Sequence, residues 1–144
     1  SALDTHKDIT YISSASFYES AYLGKDDQPD YLNTVVEFSS SFQPFDFFDH
    51  ICQVEQMMGR PKDRTKNIPR TIDIDILCYG DSVLETDILI IPHPRIAFRK
   101  FVLIPFHELA PDFIIPGLNV SVENLLHVCV DASTIVKHSL ESRA

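Results

Sequence analysis

Cations are scarce in this chain. Lys and Arg together number 12 against 21 Asp and Glu, a formal net charge of −9 over 144 residues. A nucleic-acid or anionic-membrane surface draws its main affinity from net positive charge, so this balance argues against both partners. Cysteine is sparse as well. Cys52, Cys78 and Cys129 are odd in number and widely spaced, with no CxxC pair and no metal-ligand spacing. They read as buried thiols in a reducing compartment, and the expected location is cytoplasmic. No apolar run is long enough to span a bilayer, and no secretory leader pattern opens the chain. Internal repeats, linkers and low-complexity stretches are missing too. The opening Ser1-Ala2-Leu3-Asp4 has no initiator methionine, which points to a processed or truncated start. What is present is a chain with 44% hydrophobic residues, enough for one domain with a core of its own.

The most informative segment is Pro69-Arg70-Thr71-Ile72-Asp73-Ile74-Asp75-Ile76-Leu77. Ile72, Ile74 and Ile76 share one parity, Asp73 and Asp75 the other, a period of two that predicts a β-strand. In a strand the isoleucines enter a core and both carboxylates leave by the same face. Two like charges about 7 Å apart, two strand steps, repel unless a cation lies between them. Hard oxygen ligands on a rigid element make a natural Mg²⁺ site. Alternating acids also line the wet face of ordinary sheets, so the motif alone leaves both readings open. The flanking residues favour the site. Arg60, Lys62, Arg64 and Lys66 crowd a glycine- and proline-marked stretch just upstream, and Arg70 precedes Asp73 by three. Metal-binding acids beside a cationic loop describe a receptor for a metal–polyphosphate complex. In an otherwise acidic chain, that concentration of cations favours a small anion over a polymer.

Elements follow from the same kind of pattern. Residues 1–8 read as the end of a helix and a loop. Thr10–Ser20 and Tyr31–Phe42 read as two long antiparallel strands, separated by a polar loop over 23–30. Phe47, Phe48, Ile51, Val54, Met57 and Met58 recur at helical spacing, with Pro44 suited to the first turn and Gly59 as the stop. A cationic loop spans 60–69, and Tyr79-Gly80-Asp81 forms a hairpin-like turn. Val83-Leu84 and Ile88–Ile91 are short strands, and a helix runs from about Arg95 to Leu109. Pro111 and Pro116-Gly117 bound a short apolar segment, and Val122–Val128 is a last helix before a frayed end. The class is α+β, with helices on an antiparallel sheet.

Two further clusters carry polar chemistry. Tyr31 and Asn33 share one strand face, where a ring and a carboxamide together could read a flat heterocycle; a strand-start tyrosine and a capping asparagine are the plainer alternative. In Pro92-His93-Pro94-Arg95, the histidine sits on stiff backbone, and Arg95 and Arg99 fall four apart near a helix start, a phosphate-receptor pattern or a solvated basic face.

Taken in order, PDYLN at 29–33, EQMMGRPK at 55–62, PRTIDIDIL at 69–77 and PHPRIAFRKFVLIPFHELAP at 92–111 resemble the 6-hydroxymethyl-7,8-dihydropterin pyrophosphokinases. The resemblance covers nearly the whole chain. It implies a ferredoxin-like α/β/α sandwich around a mainly antiparallel sheet, and transfer of diphosphate from ATP to the pterin hydroxymethyl group in folate synthesis, releasing AMP. By this likeness Asp73 and Asp75 hold two Mg²⁺ ions that bridge to ATP. Arg60 and Arg70 join them as catalytic residues. Glu55, Arg60, Lys62, Arg70, Ile76, His93 and Arg99 are implied at ATP. Leu23, Tyr31, Asn33 and Phe101 are implied at the pterin, with Tyr31 and Phe101 sandwiching it and Asn33 bonding its edge.

The chain departs from the family's pattern in places. Asn67 and Ile68 stand where an aromatic residue and glycine are usual, and Lys62 stands where arginine is frequent, which loses the bidentate fork. The family's opening strand, its glycine-serine-asparagine turn and most of a first helix have no counterpart, so residues 1–144 read as one N-terminally incomplete pyrophosphokinase domain. Two rivals stay open. One is a catalytically impaired module that keeps nucleotide or pterin affinity; the other is a different two-metal phosphotransfer enzyme.

Overall fold

The computed structural model describes residues 6–20, 31–58, 73–131 and 135–137. In chain order the first elements are β1 (Ile9–Ser14), β2 (Tyr18–Ser20), β3 (Tyr31–Asn33), β4 (Val36–Ser40), α1 (Pro44–Met57), β5 (Leu84–Glu85) and β6 (Ile90–Ile91). A 3-10 turn at Ile96–Phe98 leads into α2 (Lys100–Leu109), β7 (Ile114–Ile115), β8 (Val120–Ser121), α3 (Val122–Val128) and β9 (Ile135–Lys137). Among the described residues, short antiparallel strands and three helices make the class α+β. The chain forms two compact units, one from Ser1–Tyr11 with Phe38–His93, the other from Ile12–Glu37 with Pro94–Ala144. Their boundary falls within β1 and within β4.

The first unit is built on α1. Pro44 occupies the first turn, where its missing N–H costs nothing, and Asp46 complements the positive end of the helix. Phe47, Ile51 and Val54 recur at helical spacing and form the buried face. Phe47 and Ile51 pack with Ile9 of β1 into a core joined by Phe38, Phe42, Ile74, Ile76 and Tyr79. A turn follows, with Ser82 N–H donating to the Tyr79 carbonyl at 2.9 Å. Gly80 takes φ +53° there, a conformation that a side chain would strain. β5 and β6 then pair antiparallel, with Leu84 opposite Ile91.

In the second unit β2 is the middle strand of three, antiparallel to β3 on one side and to β9 on the other. α2 packs on α3 and on β2. Leu103, Ile115 and Val122 are wholly buried, and Ile96, Pro105 and Leu125 join them inside. β7 and β8 form a hairpin whose turn needs left-handed backbone at Gly117 (φ +87°) and Asn119 (φ +59°). Ser121 caps α3 by accepting the Asn124 N–H at 3.1 Å.

Several expected elements are interrupted. The strand read over 10–20 breaks between β1 and β2, and the one over 31–42 breaks between β3 and β4. At these breaks Ala15 N–H donates to the Val35 carbonyl, and the Thr34 hydroxyl lies 3.0 Å from both the Ala15 and Ser16 carbonyls. A side-chain hydroxyl thus competes with the ladder for backbone partners. The helix read from Arg95 is a 3-10 turn, an extended Arg99 (φ −124°, ψ 105°), and then α2. The Lys100 N–H donates to the Asp131 carboxylate at 3.0 Å, so that side chain takes the amide at the new helix start. Arg95 and Arg99 therefore do not share one α-helical face. The cysteines are free and half-buried, not fully buried. β9 lies in the stretch read as frayed; three residues gain strand geometry only by pairing with distant β2. The loops at 23–30 and 60–69, and the helix end at 1–5, lie outside the described residues.

Candidate functional site

The aspartate segment keeps its alternation but not its strand. Asp73 and Asp75 are exposed, whereas Ile74 and Ile76 are half-buried and pack on the α1 core. Both carboxylates therefore leave the segment on its solvent side. Yet residues 73–79 belong to no hydrogen-bonded sheet among the described residues. Their polar groups are satisfied in other ways. The Ile74 N–H, between the two aspartates, donates to Glu55 Oε2 at 2.8 Å. Glu55 is 4% exposed, the one charged residue among the described residues to be buried. The His93 N–H donates to the Leu77 carbonyl at 2.9 Å. The Tyr79 hydroxyl donates to the Phe42 carbonyl at 2.7 Å, and its ring meets Phe47 edge-on at 5.4 Å. A helix carboxylate, a neighbouring loop and a core contact together clamp the backbone that carries the acids.

The first unit thus brings Glu55, Asp73, Asp75, Ile76 and His93 onto one clamped segment and its immediate neighbours. Cys78 follows three residues after Asp75, and burial pushes its thiol up to about 11. At physiological pH it is a neutral thiol and a poor nucleophile.

In the second unit the Arg99 guanidinium lies over the Phe101 ring, 5.4 Å from its centre. The cation–π contact holds two expected site residues together at the start of α2. Asn33 is half-buried on β3 and stands directly opposite Tyr18 on β2, while the Tyr31 backbone pairs with Ser20. Leu23, Arg60, Lys62 and Arg70 lie outside the described residues. Sequence reasoning missed Tyr18, Glu108 and Asp131, whose partners are long-range in the chain. It also placed Glu55 at a nucleotide without anticipating its bond to the aspartate segment.

Among the described residues, no group of three or more His, Cys, Asp or Glu is arranged to hold a metal. Asp73 and Asp75 present two exposed carboxylates on this fixed backbone. That set suits Mg²⁺, which is usually held by one or two carboxylates with waters and substrate phosphates.

The family model described as 7,8-dihydro-6-hydroxymethylpterin-pyrophosphokinase matches residues 1–111. The chain belongs to this family. Its relatives include the 2-amino-4-hydroxy-6-hydroxymethyldihydropteridine pyrophosphokinases of Haemophilus influenzae (36% identical over 112 residues) and Bacillus subtilis (38% over 107 residues). The match covers 78% of this chain and 69% of the Haemophilus protein, and 74% of this chain and 64% of the Bacillus one. The folic acid synthesis protein FOL1 of Dictyostelium discoideum is 39% identical over 116 residues, 80% of this chain but 18% of that protein. The pyrophosphokinase match ends at Pro111, so β7, β8, α3 and β9 lie beyond it.

Proposed function

We propose that this chain transfers the terminal diphosphate of ATP to the hydroxymethyl group of 6-hydroxymethyl-7,8-dihydropterin, releasing AMP, in folate biosynthesis. The observation that supports it most is the clamped pair of outward carboxylates, Asp73 and Asp75, in a chain of this family. Diphosphoryl transfer asks little covalent work of the protein; it needs in-line positioning and charge compensation. Asp73 and Asp75 would hold two Mg²⁺ ions, which supply Lewis-acid charge neutralisation when bound. Arg60, Lys62 and Arg70 would balance the charge of the transferred group, with Ile76, His93 and Arg99 also at the nucleotide. Glu55 is assigned to the nucleotide side of the site, where its buried carboxylate serves the aspartate backbone. Leu23, Tyr31, Asn33 and Phe101 would receive the pterin. This reading carries with it a single catalytic domain of ferredoxin-like layering and a cytoplasmic enzyme.

The test is AMP formation from ATP, Mg²⁺ and the dihydropterin. Asp73→Ala and Asp75→Ala should each lower turnover by at least about a hundredfold, as loss of transition-state charge stabilisation does. Both should still unfold in one cooperative transition, because both side chains are exposed rather than part of the core. Undiminished turnover in both variants would refute the assignment. Nucleotide binding without AMP release in the wild type would replace the enzyme by a binding module.

A further inference from the structure

Glu108, on the last turn of α2, collects three donors from a segment about ninety residues earlier in the chain. The Ser16 N–H donates to its Oε2 at 2.8 Å and the Ser16 hydroxyl to the same oxygen at 3.2 Å; the Tyr18 hydroxyl donates to Oε1 at 2.5 Å. A surface carboxylate ordinarily leaves most of its acceptor capacity to water. Here both oxygens are committed to one short stretch of backbone and side chain.

That stretch is the entry to β2, and its position matters. Tyr18 stands directly opposite Asn33 of β3. Residues directly opposite on antiparallel strands project from the same face of the sheet. Tyr18 reaches the α2 side with its hydroxyl, so Asn33 projects from that side too. Thr34, the next residue, is tied by its hydroxyl to the Ala15 and Ser16 carbonyls at 3.0 Å. On the helix, Phe101 and Glu108 are seven residues apart, which is two turns and nearly the same face. The helix face that holds Glu108 against β2 therefore also carries Phe101, and the sheet face that Glu108 grips also carries Asn33.

We infer that Glu108 is a positioning residue for the pterin, fixing the spacing between the Phe101 face of α2 and the Asn33 face of the β2–β3 pair. The inference rests on the pterin assignment made above for Asn33 and Phe101. A flat heterocycle held between a ring and a carboxamide tolerates little change in that spacing, since stacking and in-plane hydrogen bonds both fail with small displacements. Glu108 itself touches no substrate in this scheme. Its effect should fall mainly on pterin binding; Arg99, assigned to the nucleotide, shares the start of α2 with Phe101 and should feel it less.

The experiment is steady-state kinetics with ATP and the dihydropterin varied separately, on the full chain and on Glu108→Ala, Glu108→Gln and Tyr18→Phe. Glu108→Ala should raise the pterin KM about tenfold, the scale set by losing a hydrogen bond to a charged acceptor. The ATP KM should change less than about twofold. Glu108→Gln keeps an acceptor oxygen and should recover most of the loss, and Tyr18→Phe should fall between. If Glu108→Ala does not fold, the other two variants decide. An unchanged pterin KM in both, or equal rises in both KM values, overturns the positioning role. A wild type that forms AMP from ATP without needing the dihydropterin overturns the pterin assignment itself, a different failure.

Discussion

Glu55 shows how much one buried side chain can decide. Its carboxylate is nearly sealed from water and accepts the amide between the two aspartates. Removing an acceptor from a buried donor costs about 1–3 kcal/mol. Glu55→Leu should therefore lower the unfolding free energy read from urea denaturation by that amount and, on the metal role proposed for Asp73 and Asp75, raise the Mg²⁺ concentration needed for half-maximal turnover. Glu55→Gln, which keeps an acceptor oxygen, should recover most of both. A leucine variant as stable as the wild type would show that the Ile74 amide finds another partner at no cost. From sequence the residue was legible only as a glutamate within a family motif. The bond that gives it a task spans nineteen residues, across a stretch whose path no local pattern states.

At the scale of elements, side chains from elsewhere set where structure begins. Arg95–Leu109 carries enough apolar periodicity for one helix, yet the chain stays extended at Arg99 and restarts at Lys100. Asp131 takes the Lys100 amide and puts a negative charge at the positive end of α2. Asp131→Ala should cost about 0.5–2 kcal/mol, the range for losing an N-terminal cap. Chemical denaturation would measure it, and Asp131→Asn should give back part of the loss by restoring an acceptor. No change in either variant would mean that water serves the amide equally well. α1 and α3 needed no such help. Pro44 and the apolar spacing mark the first, Ser121 caps the second, and all of these signals lie within the element itself.

At the scale of the whole molecule, one pair contributes a pH response at both extremes. The Tyr18 hydrogen bond, with those from Ser16 and the charge of Lys137, holds the Glu108 carboxyl below its usual range against the opposing effect of burial. A depressed carboxyl contributes stability that is present above its ordinary value, 4.5, and is lost as pH falls through the folded one. Burial and the same carboxylate push the Tyr18 hydroxyl up to about 12, from an ordinary 10.0. A raised phenol contributes stability present below 10.0 and lost as pH rises toward about 12. The melting temperature should therefore fall at both extremes, and Glu108→Gln should flatten the acid limb. An acid limb unchanged by that substitution would show that other carboxylates govern it.

Sequence by itself determined the class, the family, the helix α1 and the outward pairing of Asp73 with Asp75. Those features depend on local periodicity, on caps within the element, or on motif order, all written in consecutive residues. Only the tertiary structure decided that the aspartate segment is clamped by Glu55 and His93 outside any sheet ladder among the described residues. It also decided that β9 exists as a strand beside β2, and that Glu108 grips the Asn33 face. Each of these depends on a donor and an acceptor far apart in the chain. Backbone groups take whichever partner the fold brings near, and no pattern in neighbouring residues specifies which that will be.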